Sequence, residues 1–218
     1  MSGLIREHLD QLVRSFGFVK PPIDPTILHD LYRRKDFPAM LGWIKNSMRL
    51  DLRVGLRIVD AAGKSPLMSI ETPRPMPPYG SAEFRRTRVV VNARRDVLES
   101  RPFAWVVAGF AHELSHVVLF SIGHPLQYDE KAVDLTAMML GYQAFVTDAE
   151  VTTTEGTLLS ALLAILLLPL GFLFWRGTST RTDRIGYLTS AEARFARDYI
   201  NFLAERRATA VGQTTGGR

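Results

Sequence analysis

The chain has 218 residues, 46% of them hydrophobic, which suits one domain of ordinary size with a substantial core. It contains no cysteine, so disulfides, thiolate catalysis and thiolate-bound zinc or iron–sulfur clusters are excluded, and any transition-metal site must use imidazole and carboxylate ligands. The net charge of +5 comes from scattered groups (Arg33-Arg34-Lys35, Arg85-Arg86, Arg94-Arg95, Arg206-Arg207) without a nucleic-acid-reading motif, so a solvated basic surface is expected and no nucleic-acid partner.

The opening residues, Met1 to His8, lack an apolar signal core, so residues 1–150 are expected to stay in the cytoplasm. Leu4, Ile5, Leu9, Leu12, Val13 and Phe16 recur at helical spacing and predict a helix over 4–16. Pro21, Pro22 and Pro25 interrupt it, and Asp24 or Thr26 caps a second helix through Ile27, Leu28, Leu31 and Tyr32. A third short helix is predicted over 37–48.

Alternation of apolar and polar residues over 52–59 predicts a half-buried strand, with further strands over 68–70 and 86–92 and a proline-rich loop, 73–80, between these two. Strongly apolar helices are predicted over 102–121 and 129–146. The run from Gly156 to Trp175 carries no charge and is about long enough to cross a hydrocarbon core as a helix. It reads as a transmembrane span, as a re-entrant hairpin broken near Pro169 and Gly171, or as a buried helix. A final helix over 190–206 has Ser190 as its expected N-cap and Glu192 in its first turn; 208–218 reads as a disordered tail.

Chemistry concentrates at His112-Glu113-Leu114-Ser115-His116. Histidines four apart on a helix share a face and can hold one metal ion, and the glutamate between them can take a proton from a water there. Two imidazoles and a carboxylate within so apolar a helix are costly unless something satisfies them. A hydrogen-bonded pair of core histidines is the alternative, but the next helix carries a matching signal in Glu130-Lys131-Ala132-Val133-Asp134. Glu130 can be the third ligand, with Asp129 as the competing choice, and Asp134 can accept the Nδ1–H of a ligating histidine.

This pair of motifs resembles the gluzincins, zinc peptidases with HExxH on one helix and Glu-x-x-x-Asp on the next. The resemblance covers residues 102–146 closely and Gly186-Tyr187-Leu188 more loosely. It implies an α+β, minimal zincin-like fold, with a small sheet packed on the active-site helix and on a second, ligand-bearing helix. Strand 86–92 would then form an edge open to an extended substrate.

The resemblance also implies zinc held by His112, His116 and Glu130, Asp134 behind them, Glu113 as general base, and a protein or peptide as substrate. Tyr187 is a candidate oxyanion donor or a packing residue, and His124 a cleft-mouth or an ordinary loop residue. Iron or manganese could occupy the same ligand set. Membrane-bound gluzincins place their hydrophobic segments before and within the catalytic core, whereas here 156–175 follows the third ligand.

The expected organisation is therefore a metallopeptidase domain with N-terminal helices over 1–150, a membrane-associated segment over 156–175, a C-terminal helix over 185–207 and a tail over 208–218. The expected activity is zinc-dependent peptide hydrolysis at a membrane surface, on its cytoplasmic side. A non-catalytic metal-binding regulator or a membrane scaffold is the alternative.

Overall fold

The computed structural model describes residues 2–60, 66–155, 179–184 and 186–215. It forms two compact units, one comprising 1–149 with 185–218 and the other 150–184. The apolar run 156–175 lies outside the described residues.

The first unit opens with α1 (Ser2–Phe16), α2 (Thr26–Arg33) and α3 (Phe37–Ser47). Asp24 accepts the Thr26 N–H at 2.9 Å ahead of α2, and Asp36 caps α3 through the Ala39 N–H. The sheet consists of β1 (Arg53–Val59), β2 (Met68–Glu71) and β3 (Arg88–Arg94) in the order β1-β3-β2, with β1 parallel and β2 antiparallel to β3. Val89, Val91 and Ala93 face inward and are fully buried.

The mixed helix-and-sheet content agrees with an α+β class, but strand 86–92 is not an edge. β3 is the central strand, paired on both sides, so it cannot receive a substrate. Alternation within a strand reports its buried face and says nothing about its neighbours. Two short helices, α4 (Ala82–Arg86) and α5 (Arg95–Ser100), flank β3 and were not predicted, being too short for a helical period to show.

The centre of the unit is α6 (Phe103–Ser121), which packs against α2, α3, β2 and α7 (Glu130–Ala137). It is long and apolar enough to cross a membrane, yet most of its surface is buried inside the unit, as in the core helix of a soluble protein. The single helix predicted over 129–146 is broken. After α7 the chain widens into a π-type turn, Met138–Tyr142, with Gly141 at φ 102, before α8 (Gln143–Asp148). Carbonyls released by this break are recaptured by the proline-rich segment after α1: Lys20 N–H donates to Met139 O at 2.9 Å and Ile23 N–H to Gly141 O at 3.0 Å. A Cβ on residue 141 would sit 2.6 Å from the Pro21 carbonyl, so the docking depends on glycine.

The last helix, α9 (Ser190–Thr215), packs on α1 and α8. Its cap is Thr189 rather than Ser190: Thr189 N–H donates to Glu192 Oε2 at 2.8 Å while Glu192 N–H donates back to Thr189 Oγ1 at 3.2 Å, a reciprocal capping box. The helix also runs beyond its predicted end into the segment read as a tail; residues 216–218 lie outside the described residues.

In the second unit, β4 (Glu150–Glu155) and β5 (Ser179–Arg184) pair antiparallel, with Glu150 opposite Arg184 and Glu155 opposite Ser179. Neither strand was predicted, although threonine, a residue favoured in strands, recurs in both.

Candidate metal centre

The helical spacing brings His112, Glu113 and His116 onto α6, where His112 and Glu113 are buried and His116 is half-buried. Glu130 stands on the first turn of α7, facing both imidazoles. Its Oε2 lies 3.2 Å from His112 Nε2 and 3.5 Å from His116 Nε2. With metal bonds of about 2.0–2.1 Å, the donors of a tetrahedral zinc site are separated by roughly 3.3 Å, between these two distances. Donor atoms from all three side chains lie within 4.8 Å of one another, so the group can hold a metal ion.

Asp129, the competing ligand, is occupied elsewhere. Its Oδ1 caps α7 by accepting the Lys131 and Ala132 N–H groups at 2.9 and 3.1 Å. His124 is buried in the turn between α6 and α7, where its Nδ1 accepts the Leu126 N–H, a structural role.

Asp134 sits one turn beyond Glu130, 2% exposed, with Oδ1 2.7 Å from His112 Nδ1. This contact places a proton on Nδ1 and turns Nε2 toward Glu130, to which it donates while no metal is bound. Asp134 Oδ2 accepts two backbone N–H groups from beyond the second unit, Tyr187 at 2.6 Å and Leu188 at 3.2 Å. The approach requires Gly186, at φ 91, because a Cβ there would lie 2.6 Å from Oδ2. These amide partners were missed in the sequence. Gly186 before Tyr187 was the only signal, and nothing local shows that it meets residue 134.

Tyr187 is 59% exposed, and its ring stacks on that of His112 with centroids 6.0 Å apart. The ring therefore stands beside the ligand group. His116 stacks in turn on Phe120 at 5.8 Å, a neighbour on α6 that motif reading did not single out.

The charges around the group are strongly interdependent. Burial alone would push the His112 imidazole down, but hydrogen bonds with Asp134 and Glu130 outweigh it and hold the group up to about 10. Burial, then the charge on His112, pushes His116 down to about 4, leaving it neutral and ready to ligate. The hydrogen bond from His112 keeps Glu130 below the usual carboxylate range. Burial raises Glu113 to about 7, with His112 opposing and Glu130 reinforcing the shift. A carboxyl that titrates near neutrality suits a group that must both accept and return a proton.

Comparison with known protein families, with curated proteins and with solved structures finds no match to this chain.

Proposed function

We propose that this chain is a zinc metallopeptidase of gluzincin type, held at a membrane surface. The observation that carries the reading is the convergence of His112, His116 and Glu130, whose Oε2 lies 3.2 and 3.5 Å from the two Nε2 atoms, with Glu113 on the helix of the histidines. Three protein donors, two nitrogen and one oxygen, leave a fourth position for substrate or solvent, the composition of a catalytic rather than a structural zinc site.

When bound, the ion supplies Lewis acidity, which makes a water acidic near neutral pH and polarises the scissile carbonyl. Glu113 accepts the proton of the attacking water and returns it to the leaving amine; its carboxyl, raised to about 7, serves in both directions. Asp134 fixes the orientation of His112 and compensates positive charge behind it. Tyr187, ring against His112, offers its hydroxyl to the oxygen that gains charge in the tetrahedral intermediate. The outer edge of β2, unpaired by any strand among the described residues and lying beside α6, suits an extended peptide. The decisive test compares cleavage of an unfolded protein by the wild-type chain and by Glu113→Gln.

Zinc binding should release protons. The His112 Nε2 proton must leave before that nitrogen can ligate, and since His112 titrates near 10 it is protonated at pH 7. Zinc affinity should therefore rise about tenfold per pH unit through the neutral range. Calorimetric titration at pH 7 in buffers of different ionisation enthalpy should report about one proton released per zinc, or slightly more with a contribution from Glu113. A proton-neutral binding event would contradict this arrangement.

Attachment through 156–175 rests on its uncharged length. Asp134, before the run, and Tyr187, after it, meet in one unit, so chain leaving that unit must return to the same side. A single crossing would part them by about 30 Å of hydrocarbon, so attachment through this run must leave both residues on one face of the membrane.

A further inference from the structure

We propose that a cavity at the C-terminal end of α6 receives a large apolar side chain of the peptide being cleaved, so that Phe120, Ile122 and Tyr128 select where a substrate is cut. This selectivity rests on the peptidase reading of the metal centre. The cavity has a volume of about 450 Å³ and lies between the end of α6, the turn leading to α7 and the proline-rich loop after β2. That volume falls within the roughly 300–1,000 Å³ of pockets that hold small organic groups.

Its walls are built for an apolar occupant. Ile122 is 40% and Tyr128 73% exposed, although both are large side chains that burial would stabilise. Among the described residues, Arg74 is the one charged member of the lining, and no carboxylate borders the cavity to welcome a cationic side chain. The opposite wall contains Pro73, Pro75 and Pro78, whose fixed φ and missing N–H groups make it stiff and poor in donors. This loop is anchored at its far end, where Tyr79 N–H donates to Ser121 O at 2.9 Å and Tyr79 Oη to Arg49 O at 2.8 Å. The wall is in place before any ligand arrives.

Position identifies the occupant. Phe120 stacks on the ligand His116 at 5.8 Å and meets Tyr128 at 5.6 Å, an aromatic path from the metal centre to the cavity. One helical turn, about 5.4 Å, separates His116 from Phe120. An extended peptide advances about 3.3 Å per residue, so the cavity takes a side chain within two or three residues of the scissile bond. The strand whose outer edge suits such a peptide, β2, runs directly into the proline-rich wall. Segments rich in Leu, Phe or Met, exposed when a protein unfolds, are thus the expected substrates.

The test measures binding separately from turnover. Full-length Glu113→Gln protein, loaded with zinc, is titrated against a fluorescein-labelled extended peptide with a central Phe and against the same peptide with Ser there. Fluorescence anisotropy should show the Phe peptide binding at least about tenfold more tightly. That preference should vanish in an added Ile122→Arg change and weaken in an added Tyr128→Ala change, both at exposed positions that the fold tolerates. Equal binding of the two peptides, or a preference that survives both changes, overturns the proposal. Preference without cleavage by the wild-type chain would remove the peptidase reading and leave the cavity as a peptide-binding site, whereas cleavage without preference would remove only the cavity.

Discussion

Replacing Glu113 with Gln should lower kcat for peptide hydrolysis by about a thousandfold while zinc content stays at the wild-type value. Glu113 is buried on α6 between the two histidines, and its side chain has no hydrogen-bond partner among the described residues, so its carboxylate is free to serve a water. Gln keeps the shape and removes the basic oxygen. Stability should move the other way. Burial, offset in part by His112, raises the Glu113 pKa to about 7, so the folded state binds its proton more tightly than the unfolded state does. That term costs the wild-type chain stability as pH rises from the ordinary carboxylate range through 7, and the neutral amide escapes it. The zinc-free variant should therefore melt higher than zinc-free wild type at pH 8, the pattern of a group placed for chemistry at a cost to the fold. Retained cleavage would remove Glu113 from the mechanism, and a variant that melts lower would mean that the carboxylate serves the structure.

The second large effect is expected far from the motif. Gly186→Ala should destabilise the chain by about 3 kcal/mol and weaken zinc binding by about 10- to 100-fold. The added Cβ would meet Asp134 Oδ2 at 2.6 Å and Oδ1 at 2.7 Å, on a backbone whose φ of 91 already disfavours alanine. Asp134 must then move, and it takes with it the Nδ1 contact that orients His112 as well as the Tyr187 and Leu188 amide bonds. Thermal melts and zinc titration check both quantities. In an Asp134→Ala background the same glycine change should cost much less, since only the backbone conformation remains unfavourable. Full additivity of the two changes would show that the contact carries no energy.

The cluster that could hold a metal ion was readable from sequence because helical geometry is local: residues four apart share a face whatever the rest of the chain does. His112 with His116, and Glu130 with Asp134, needed only that rule and the assumption that the two helices face each other. Choosing Glu130 over Asp129 depended on the carboxylate one turn later, and the structure gives the complementary reason, that Asp129 is occupied as the helix cap. What sequence could not show was contact at long range. β3 reads as a strand from its alternating valines, but its central place depends on the partners it finds. The break at Gly141 is set by Pro21 and Ile23 packing against it. Gly186 has a role only because the chain returns to Asp134 after the second unit. The cavity beside Phe120 likewise joins a loop after β2 to the end of α6.

The most direct measurement is the metal content of the purified full-length chain, by elemental analysis after exposure to one equivalent of zinc and removal of the unbound ion. Wild-type protein should hold about one zinc per chain and His116→Ala almost none, since the change deletes one of three donors while the fold, judged by circular dichroism, persists. A wild-type chain that takes up no zinc, or a His116→Ala chain that holds as much as wild type, would contradict it.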